Sequence, residues 1–286
     1  MRPVEFLEPE TLDEACSLIA KYGEEAKLIS SGQSLIPMLQ EGLIAPKYLV
    51  SIRNLPGLDY IKETNDSLRI GALTTQRTIE TSSAVRKRFP ILAEAVHAVG
   101  MVQIRNWGTI GGSLAEADPT GDPAPALLAL GASVKARRTQ GEREIPLGGF
   151  FVDYLETSLE PNEILTEIIV PYSPPNTGGT YIKDVVRAGD TGIVTVAVLV
   201  TLNGNHTVKE ARIILGSQAS TPVRALRAEK TAIGKTAEDN LDDVAKAARQ
   251  DANPAPDVLG SGEYKTHLTG LRTVEALRTA ISQAQS

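Results

Sequence analysis

The amino-acid sequence predicts an α+β protein in two parts. Three observations point there: short runs of alternating or β-branched residues recur along the chain, helical periodicity falls between them, and the proline- and glycine-rich stretch Pro171-Tyr-Ser-Pro-Pro-Asn-Thr-Gly-Gly179 interrupts both. Beyond that linker strands come first and helices after, as in a sheet backed by a helical layer. The boundary is placed there, giving expected domains at residues 1–175 and 176–286; the 286 residues are enough for two ordinary domains or for one large one with a buried core.

Val4 to Leu7 reads as a strand. Thr11-Leu-Asp-Glu14 has the capping-box pattern that opens a helix, because the threonine hydroxyl can accept from the N–H three residues on. Ala15, Leu18, Ile19 and Tyr22 continue at helical spacing, and Gly23 can close the helix. With Ala26 to Ile29 as the next strand, this is a β-α-β unit that delivers the small-residue loop Ser30-Ser-Gly-Gln-Ser34 at a strand end, a common place for a site. Tyr48 to Ile52, Tyr60 to Glu63 and Ser67 to Leu73 are expected strands, the last two joined by a turn at Thr64-Asn-Asp66. Thr75 to Ser82 and Pro90 to Val99 are expected helices, with Pro90 in the first turn, where its missing N–H costs little. Ala132 to Arg138 and Arg143 to Ile145 suit a hairpin around Gln140-Gly141 whose arginines form a solvated face, and Glu163 to Val170 is a strand ending at Pro171. In the second part, Thr180 to Val186, Ile193 to Leu202 and His206 to Leu215 make a three-stranded sheet, with Asn203-Gly204 as a hairpin turn and the β-branched Ile193 to Val200 as its buried strand. Helices follow at about Pro222 to Ile233, Ala237 to Arg249 and Tyr264 to Gln283.

The stretch from Ile104 to Pro125 reads as a ligand-binding loop. Gly108, Gly111 and Gly112 bracket Thr109 and Ile110, so the backbone is expected to take positive φ angles and turn its N–H groups outward, which suits phosphate. Asp118 and Asp122 follow among Pro119, Pro123 and Pro125 as acceptors for sugar hydroxyls. An ordinary glycine-rich turn fits this stretch equally well; the second loop, at residues 30–34, favours a nucleotide, since two such loops can grip one diphosphate. Neither has the spacing of a Rossmann fingerprint or a P-loop.

Composition, 42% hydrophobic against 22% charged with a net charge of -6, is that of an acidic globular protein and gives no reason to expect nucleic acid or an anionic membrane as a partner. The start lacks the regions of a signal peptide and no apolar run is long enough to span a bilayer, so no stable membrane insertion and a cytoplasmic location are expected. The one cysteine, Cys16, reads as a small core residue; alone it can form neither an internal disulfide nor an iron–sulfur ligand set. His97, His206 and His267 are far apart, so no zinc or non-haem iron set can be read, and His97 reads as a partly buried polar residue. No nucleophile and base pair and no G-x-S-x-G elbow is present. What remains is a nucleotide site without catalytic residues of its own, which fits a protein whose bound cofactor carries the chemistry.

Ser30-Ser-Gly-Gln-Ser-Leu-Ile-Pro-Met38, Gln103-Ile-Arg-Asn106 and Gly108-Thr-Ile-Gly-Gly-Ser113, with Glu163-Ile-Leu165, Lys183 to Asp190 and Glu263-Tyr-Lys265, together resemble the FAD-binding medium subunit of the molybdenum hydroxylases, the family of xanthine dehydrogenase and aerobic carbon monoxide dehydrogenase. The resemblance covers nearly the whole chain. It implies a flavin fold of the vanillyl-alcohol-oxidase type, with two α+β subdomains carrying FAD and a C-terminal domain completing the pocket. It also implies site residues. Leu28, Ile29, Ser30, Ser31, Gly32, Gln33, Ser34 and Leu35, with Thr109, Ile110, Gly111, Gly112 and Ser113, would hold the pyrophosphate and ribityl chain through backbone N–H groups and hydroxyls. Asp122 would bind a sugar hydroxyl, Ile164 or Leu165 would pack near the adenine or flavin, and Lys183 and Asp190 would lie beside the isoalloxazine; without the resemblance, Lys183 is an ordinary surface charge. Three positions depart from the pattern the resemblance implies: Ser31 stands for a glycine, Ser113 for an asparagine, and Thr191, after Asp190, for the aromatic residue of carbon monoxide dehydrogenase-like members.

The function so implied is electron transfer through FAD, from [2Fe–2S] clusters on a small partner subunit to an external acceptor, with substrate oxidised at a molybdenum cofactor on a large partner, in a dimer of heterotrimers. Two rivals are kept: a self-sufficient FAD oxidase or dehydrogenase, and a nucleotide-binding module without activity.

Overall fold

A computed structural model describes residues 3–285; Met1, Arg2 and Ser286, at the ends of the two expected domains, lie outside the described residues. The chain opens with β1 (Glu5–Leu7), α1 (Leu12–Tyr22), β2 (Ala26–Ile29), α2 (Leu35–Gln40) and β3 (Tyr48–Ser51). Thr11 caps α1, its hydroxyl accepting from the Glu14 N–H at 3.1 Å, while the Glu14 carboxylate reaches back to the Glu10 N–H at 2.8 Å. Cys16 is fully buried on the inner face of this helix with Ala15 and Ile19. The expected β-α-β unit forms, but β3 slips between its two strands to give a parallel sheet of order β1-β3-β2. The cause is the apolar pattern: Leu49 and Val50 are buried and suit the central position, whereas β1 is largely exposed and stays at the edge.

Next come β4 (Ile61–Glu63), β5 (Ser67–Gly71), α3 (Gln76–Thr81), α4 (Ser83–Arg88), α5 (Pro90–His97), α6 (Val102–Trp107), α7 (Ile110–Glu116), α8 (Pro123–Ala129), β6 (Ser133–Arg138), β7 (Gly141–Pro146), the small hairpin β8 (Phe151–Asp153) and β9 (Glu156–Thr157), and β10 (Ile164–Pro171). A five-stranded antiparallel sheet runs β4-β5-β10-β6-β7, with β10 at its centre because seven of its eight residues are buried. The helices from α5 to α8 cover it through a core that includes Phe89, Leu92, Ile110, Leu114 and Leu127. The hairpin arginines are half solvated as expected, each held by a carboxylate: Arg137 by Asp13, Arg138 by Glu160 and Arg143 by Glu163. His97 is exposed rather than partly buried, with only its Nδ1 edge turned in towards Glu80 at 2.7 Å.

The last part contains β11 (Thr177–Asp184), β12 (Val194–Leu202), β13 (Val208–Gly216), β14 (Val223–Arg224), α9 (Leu226–Ala232), α10 (Asp242–Asp251) and α11 (Gly262–Gln285). Its antiparallel sheet has four strands, β11-β12-β13-β14, one more than expected; the fourth is two residues long and occupies the start of what reads in sequence as a helix. Gly178 and Gly179, expected in the linker, belong to β11. A Cβ at Gly178 would overlap the Ala280 carbonyl, so glycine here lets α11 lie directly on the sheet. β12 alternates as a doubly covered strand: Val196, Val198 and Val200 face α9 to α11, while Ala197 joins the core of the five-stranded sheet with Tyr181 and Ile214. The sheets therefore share one continuous apolar interior at this face. Among the described residues no helix is long and apolar enough to cross a membrane.

Candidate cofactor site

Ser30 begins where β2 ends, at the carboxyl edge of the parallel sheet, and Ile52 fixes that edge by donating its N–H to the Ile29 carbonyl at 2.9 Å. The chain then turns through Gly32 at φ +74°, a left-handed conformation that glycine adopts without cost, and the Ile36 N–H closes onto the Gly32 carbonyl at 3.0 Å to start α2. The N–H groups of Ser31, Gly32, Gln33 and Ser34 find no acceptor among the described residues. Four successive half-buried donors left unused are what an anion requires.

The second segment works differently. Gly108, Gly111 and Gly112 have no positive φ, so the expected open loop gives way to α6 and α7 joined at Gly108 and Thr109. This segment is stitched to the end of β5 and the start of α3: Gln76 N–H donates to the Gly108 carbonyl at 2.8 Å, Ile110 N–H to Thr74 at 3.0 Å, and Gly111 N–H to Ala72 at 2.9 Å. Gly112 N–H donates to the Thr109 hydroxyl at 3.2 Å and Ser113 N–H to the Thr109 carbonyl at 3.0 Å. The N–H groups of residues 110–113 are thus already engaged, which corrects the expectation that they turn outward to hold pyrophosphate. Gly111 is required for close approach, since a Cβ there would stand 2.6 Å from the Ala72 Cβ and 2.7 Å from its carbonyl oxygen.

The two segments face each other. Ser30 and Thr109 share a hydroxyl–hydroxyl hydrogen bond of 3.2 Å, and Ser34 donates to Glu116 at 2.7 Å. Burial pushes the Glu116 carboxyl up, against the lowering effect of the hydrogen bond from Ser34. A Cβ at Gly112 would sit 2.8 Å from the Thr109 hydroxyl and 3.0 Å from that of Ser30, in the gap itself. A nucleotide diphosphate fits this arrangement: free N–H groups on one wall, hydroxyls of Ser30, Ser34 and Thr109 between the walls, and a glycine where a side chain would intrude. Ser113, in the first turn of α7, is half-buried beside Gly121.

Asp122 lies next to this gap but deep, 4% exposed, and both its oxygens are occupied: one accepts from the Tyr181 hydroxyl at 2.6 Å, the other from Lys183 Nζ at 2.9 Å. Burial pushes its carboxyl up against the opposing pull of Lys183 and Tyr181. Lys183, whose side chain is 8% exposed, also donates to the Ala98 carbonyl at 3.0 Å, so it is not a surface charge. Asp118 turns on itself, taking the Thr120 N–H and hydroxyl at 2.7 Å each. Asp190 is half-buried on the turn after β11 and accepts from the Arg187 N–H at 3.1 Å. Leu28 is half-buried in β2, and Ile29 and Leu35 pack with Leu39 and Leu49 under the first loop. Ile164 is fully buried among Ala15, Cys16 and Val50 and Leu165 is 5% exposed in the main core; in this conformation Ile164 offers no surface to a ligand, because β10 is the central strand.

Sequence reasoning missed Tyr181, Glu80 and Glu94. Glu80 is buried and gathers His97 at 2.7 Å, Arg105 at 3.0 Å and Arg77 at 2.9 Å, anchoring α6 to α3 just before the gap. Burial raises its carboxyl, but hydrogen bonds from His97, Arg105 and Arg77 outweigh this and hold it at about 2. Glu94 accepts from the Thr180 hydroxyl and the Tyr181 N–H, both at 2.8 Å, and so ties β11 to α5. Arg105, set between Ile104 and Asn106 in a short helix, carries no local sign of the buried carboxylate it meets.

Residues 2–173 match the family of FAD-binding domains in molybdopterin dehydrogenases, and residues 180–280 match the carbon monoxide dehydrogenase flavoprotein C-terminal domain. The chain is 36% identical to the 6-hydroxypseudooxynicotine dehydrogenase complex subunit alpha of Paenarthrobacter nicotinovorans, over 100% of this chain and 97% of that protein. It is 34% identical to the carbon monoxide dehydrogenase medium chain of Hydrogenophaga pseudoflava, over 96% of each. A solved structure of carbon monoxide dehydrogenase from the same organism, lacking the Mo-pyranopterin moiety of the molybdenum cofactor, superposes with a TM-score of 0.95 at 34% identity and covers 98% of both chains.

Proposed function

The chain belongs to the family of FAD-binding medium subunits of the molybdenum hydroxylases, and we propose that it serves there as the electron-transfer subunit, taking electrons from [2Fe–2S] clusters on a small partner and passing them to an external acceptor. Its cofactor is FAD and its class is oxidoreductase. In this proposal the substrate is oxidised at a molybdenum cofactor on a large partner, the complex is a dimer of heterotrimers, and its location is the cytoplasm. The observation that carries it is the gap between residues 30–34 and 109–113, where four free N–H groups meet three hydroxyls.

Within the gap the N–H groups of Ser31 to Ser34 would bind the pyrophosphate, while Ser30 and Thr109 would supply hydroxyls and Gly112 the space. The Thr109 to Ser113 backbone acts as a fixed wall rather than as the donor. Asp122 and Lys183 would hold the C-terminal sheet against the cofactor's far end, with residues 1–175 as the flavin domain and 176–286 as the closing domain. When bound, FAD supplies the electron-accepting and electron-donating chemistry. The sole cysteine, Cys16, is fully buried in the first core, so iron–sulfur ligands come from partners.

The test is reconstitution. The purified chain loaded with FAD, mixed with candidate substrates and an artificial dye, should give no turnover, and adding the two partner subunits should restore it. Substrate-dependent bleaching of the isolated flavoprotein, at a rate matching the full complex, would instead establish a self-sufficient flavoenzyme.

A further inference from the structure

The two walls of the cofactor gap carry no lysine or arginine. From Leu28 to Pro46 and from Gly108 to Gly131 the sequence has neither, while Glu41, Glu116, Asp118 and Asp122 all fall there. Lys183, which reaches Asp122 from β11, is already paired with it at 2.9 Å. Phosphate sites commonly set a lysine or arginine against the anion; this one is left with backbone N–H groups and hydroxyls, dipoles that suit a weakly charged phosphate. Of the four carboxylates, Glu116 is the one that bonds to the first loop among the described residues. From the last turn of α7 it accepts from the Ser34 hydroxyl at 2.7 Å, and Ser34 is the last of the four residues whose N–H groups are unused. A phosphate seated on that N–H therefore has a carboxylate for a neighbour. Glu116 is half-buried, and the burial that pushes its carboxyl up also keeps away the water that would screen its charge.

We propose that Glu116 sets the specificity of the gap: its carboxylate, held by Ser34, admits a diphosphate esterified at both ends, with one negative charge on each phosphate, and rejects one ending in a free phosphate, which carries nearly two. The proposal rests on the function inferred above, since FAD is such a doubly esterified diphosphate. Rejection by an unpaired like charge needs no contact with flavin or adenine, so this residue keeps ADP, which is part of FAD, out of an empty gap.

ADP and ADP-ribose test this, because both contain the same adenosine diphosphate and only ADP ends in a free phosphate. Each is used to displace FAD from the full-length apoprotein in a fluorescence titration at pH 8, where that phosphate is a dianion. The parent should bind ADP-ribose more tightly than ADP. Glu116→Gln keeps an oxygen that can accept from Ser34 and removes only the charge; relative to ADP-ribose and to FAD itself, its affinity for ADP should rise by about fivefold or more. Glu116→Asp, which keeps the charge, should keep the parent's preference. Glu210→Gln, which removes an exposed charge on β13, should change nothing and so separates Glu116 from net charge. No relative gain for ADP in Glu116→Gln would overturn the proposal. Weaker binding of FAD by that variant would also overturn it, by making Glu116 an acceptor for cofactor hydroxyls. A parent apoprotein that binds no FAD refutes the FAD reading itself, and that outcome is distinct from both.

Discussion

Residues 30–34 and 108–113 look alike in sequence, small residues around glycine, yet they meet the same gap by opposite means. In the first, Gly32 takes φ +74° and leaves a run of N–H groups without acceptors. In the second, the glycines keep ordinary backbone angles, the N–H groups are engaged, and glycine serves to let one backbone lie on another, as Gly111 does against Ala72. One loop is a donor and the other a wall. The difference teaches that glycine content marks a site without saying which of two physical roles each glycine plays: conformational freedom or the absence of a side chain.

Substitution separates the roles, and the largest effect is expected at the wall. Gly111→Ala adds a Cβ 2.6–2.9 Å from three Ala72 atoms, two of them backbone, so nothing flexible can give way. A loss of about 3 kcal/mol follows, a fall in melting temperature of roughly 6–12 °C. Gly32→Asn, by contrast, keeps a residue that tolerates the left-handed region, and its Cβ would meet only side chains, Ile36 at 2.7 Å and Ile29 at 3.2 Å, of which Ile36 is exposed and can give way; it should melt closer to the parent than Gly111→Ala does. Equal melting temperatures for the two variants would erase the distinction between the segments.

A smaller effect is expected one step back from the wall, at Glu80, which fixes α6 through Arg105. Its carboxyl titrates at about 2 in the fold against an ordinary 4.5. A depressed folded value means the contribution is complete above about pH 4.5 and is lost as pH falls towards 2. Glu80→Gln should therefore cost on the order of 2 kcal/mol at pH 6 and progressively less on acidification. Urea denaturation at pH 6 and pH 3 checks this; a parent–variant difference that does not narrow would mean the wall does not depend on this ion cluster.

Much of the fold is legible in the sequence where local and tertiary preferences agree. The Thr11 cap, the β-branched run from Ile193 to Val200 and the hairpin around Gln140 each carry their own signal. The site is half legible. The Ser30 loop follows a recognisable strand, so its place at a sheet edge can be read. Helices α6 and α7, of six and seven residues, are too short to announce themselves by periodicity and exist because Thr74, Ala72 and Glu80 receive them. The pairing of Asp122 with Tyr181 and Lys183, about 60 residues apart in the chain, has no local trace; nor does the burial of Ile164, which depends on β10 being the central strand.

The central claim is that the gap between the two segments seats the FAD pyrophosphate, and Gly112 tests it most directly. A valine there would project beside the hydroxyls of Ser30 and Thr109; turning the Thr109 hydroxyl aside gives up its cap on the Gly112 N–H, a loss of about 1 kcal/mol, so the fold should survive with a slightly lower melting temperature while the gap is plugged. Fluorescence titration of the apoprotein with FAD, alongside circular dichroism, is the measurement. Gly112→Val should keep the parent's circular dichroism spectrum and melt only a few degrees lower, but show a dissociation constant raised by at least about tenfold, with the purified variant colourless; a folded variant that retains stoichiometric flavin at the parent affinity would contradict the account.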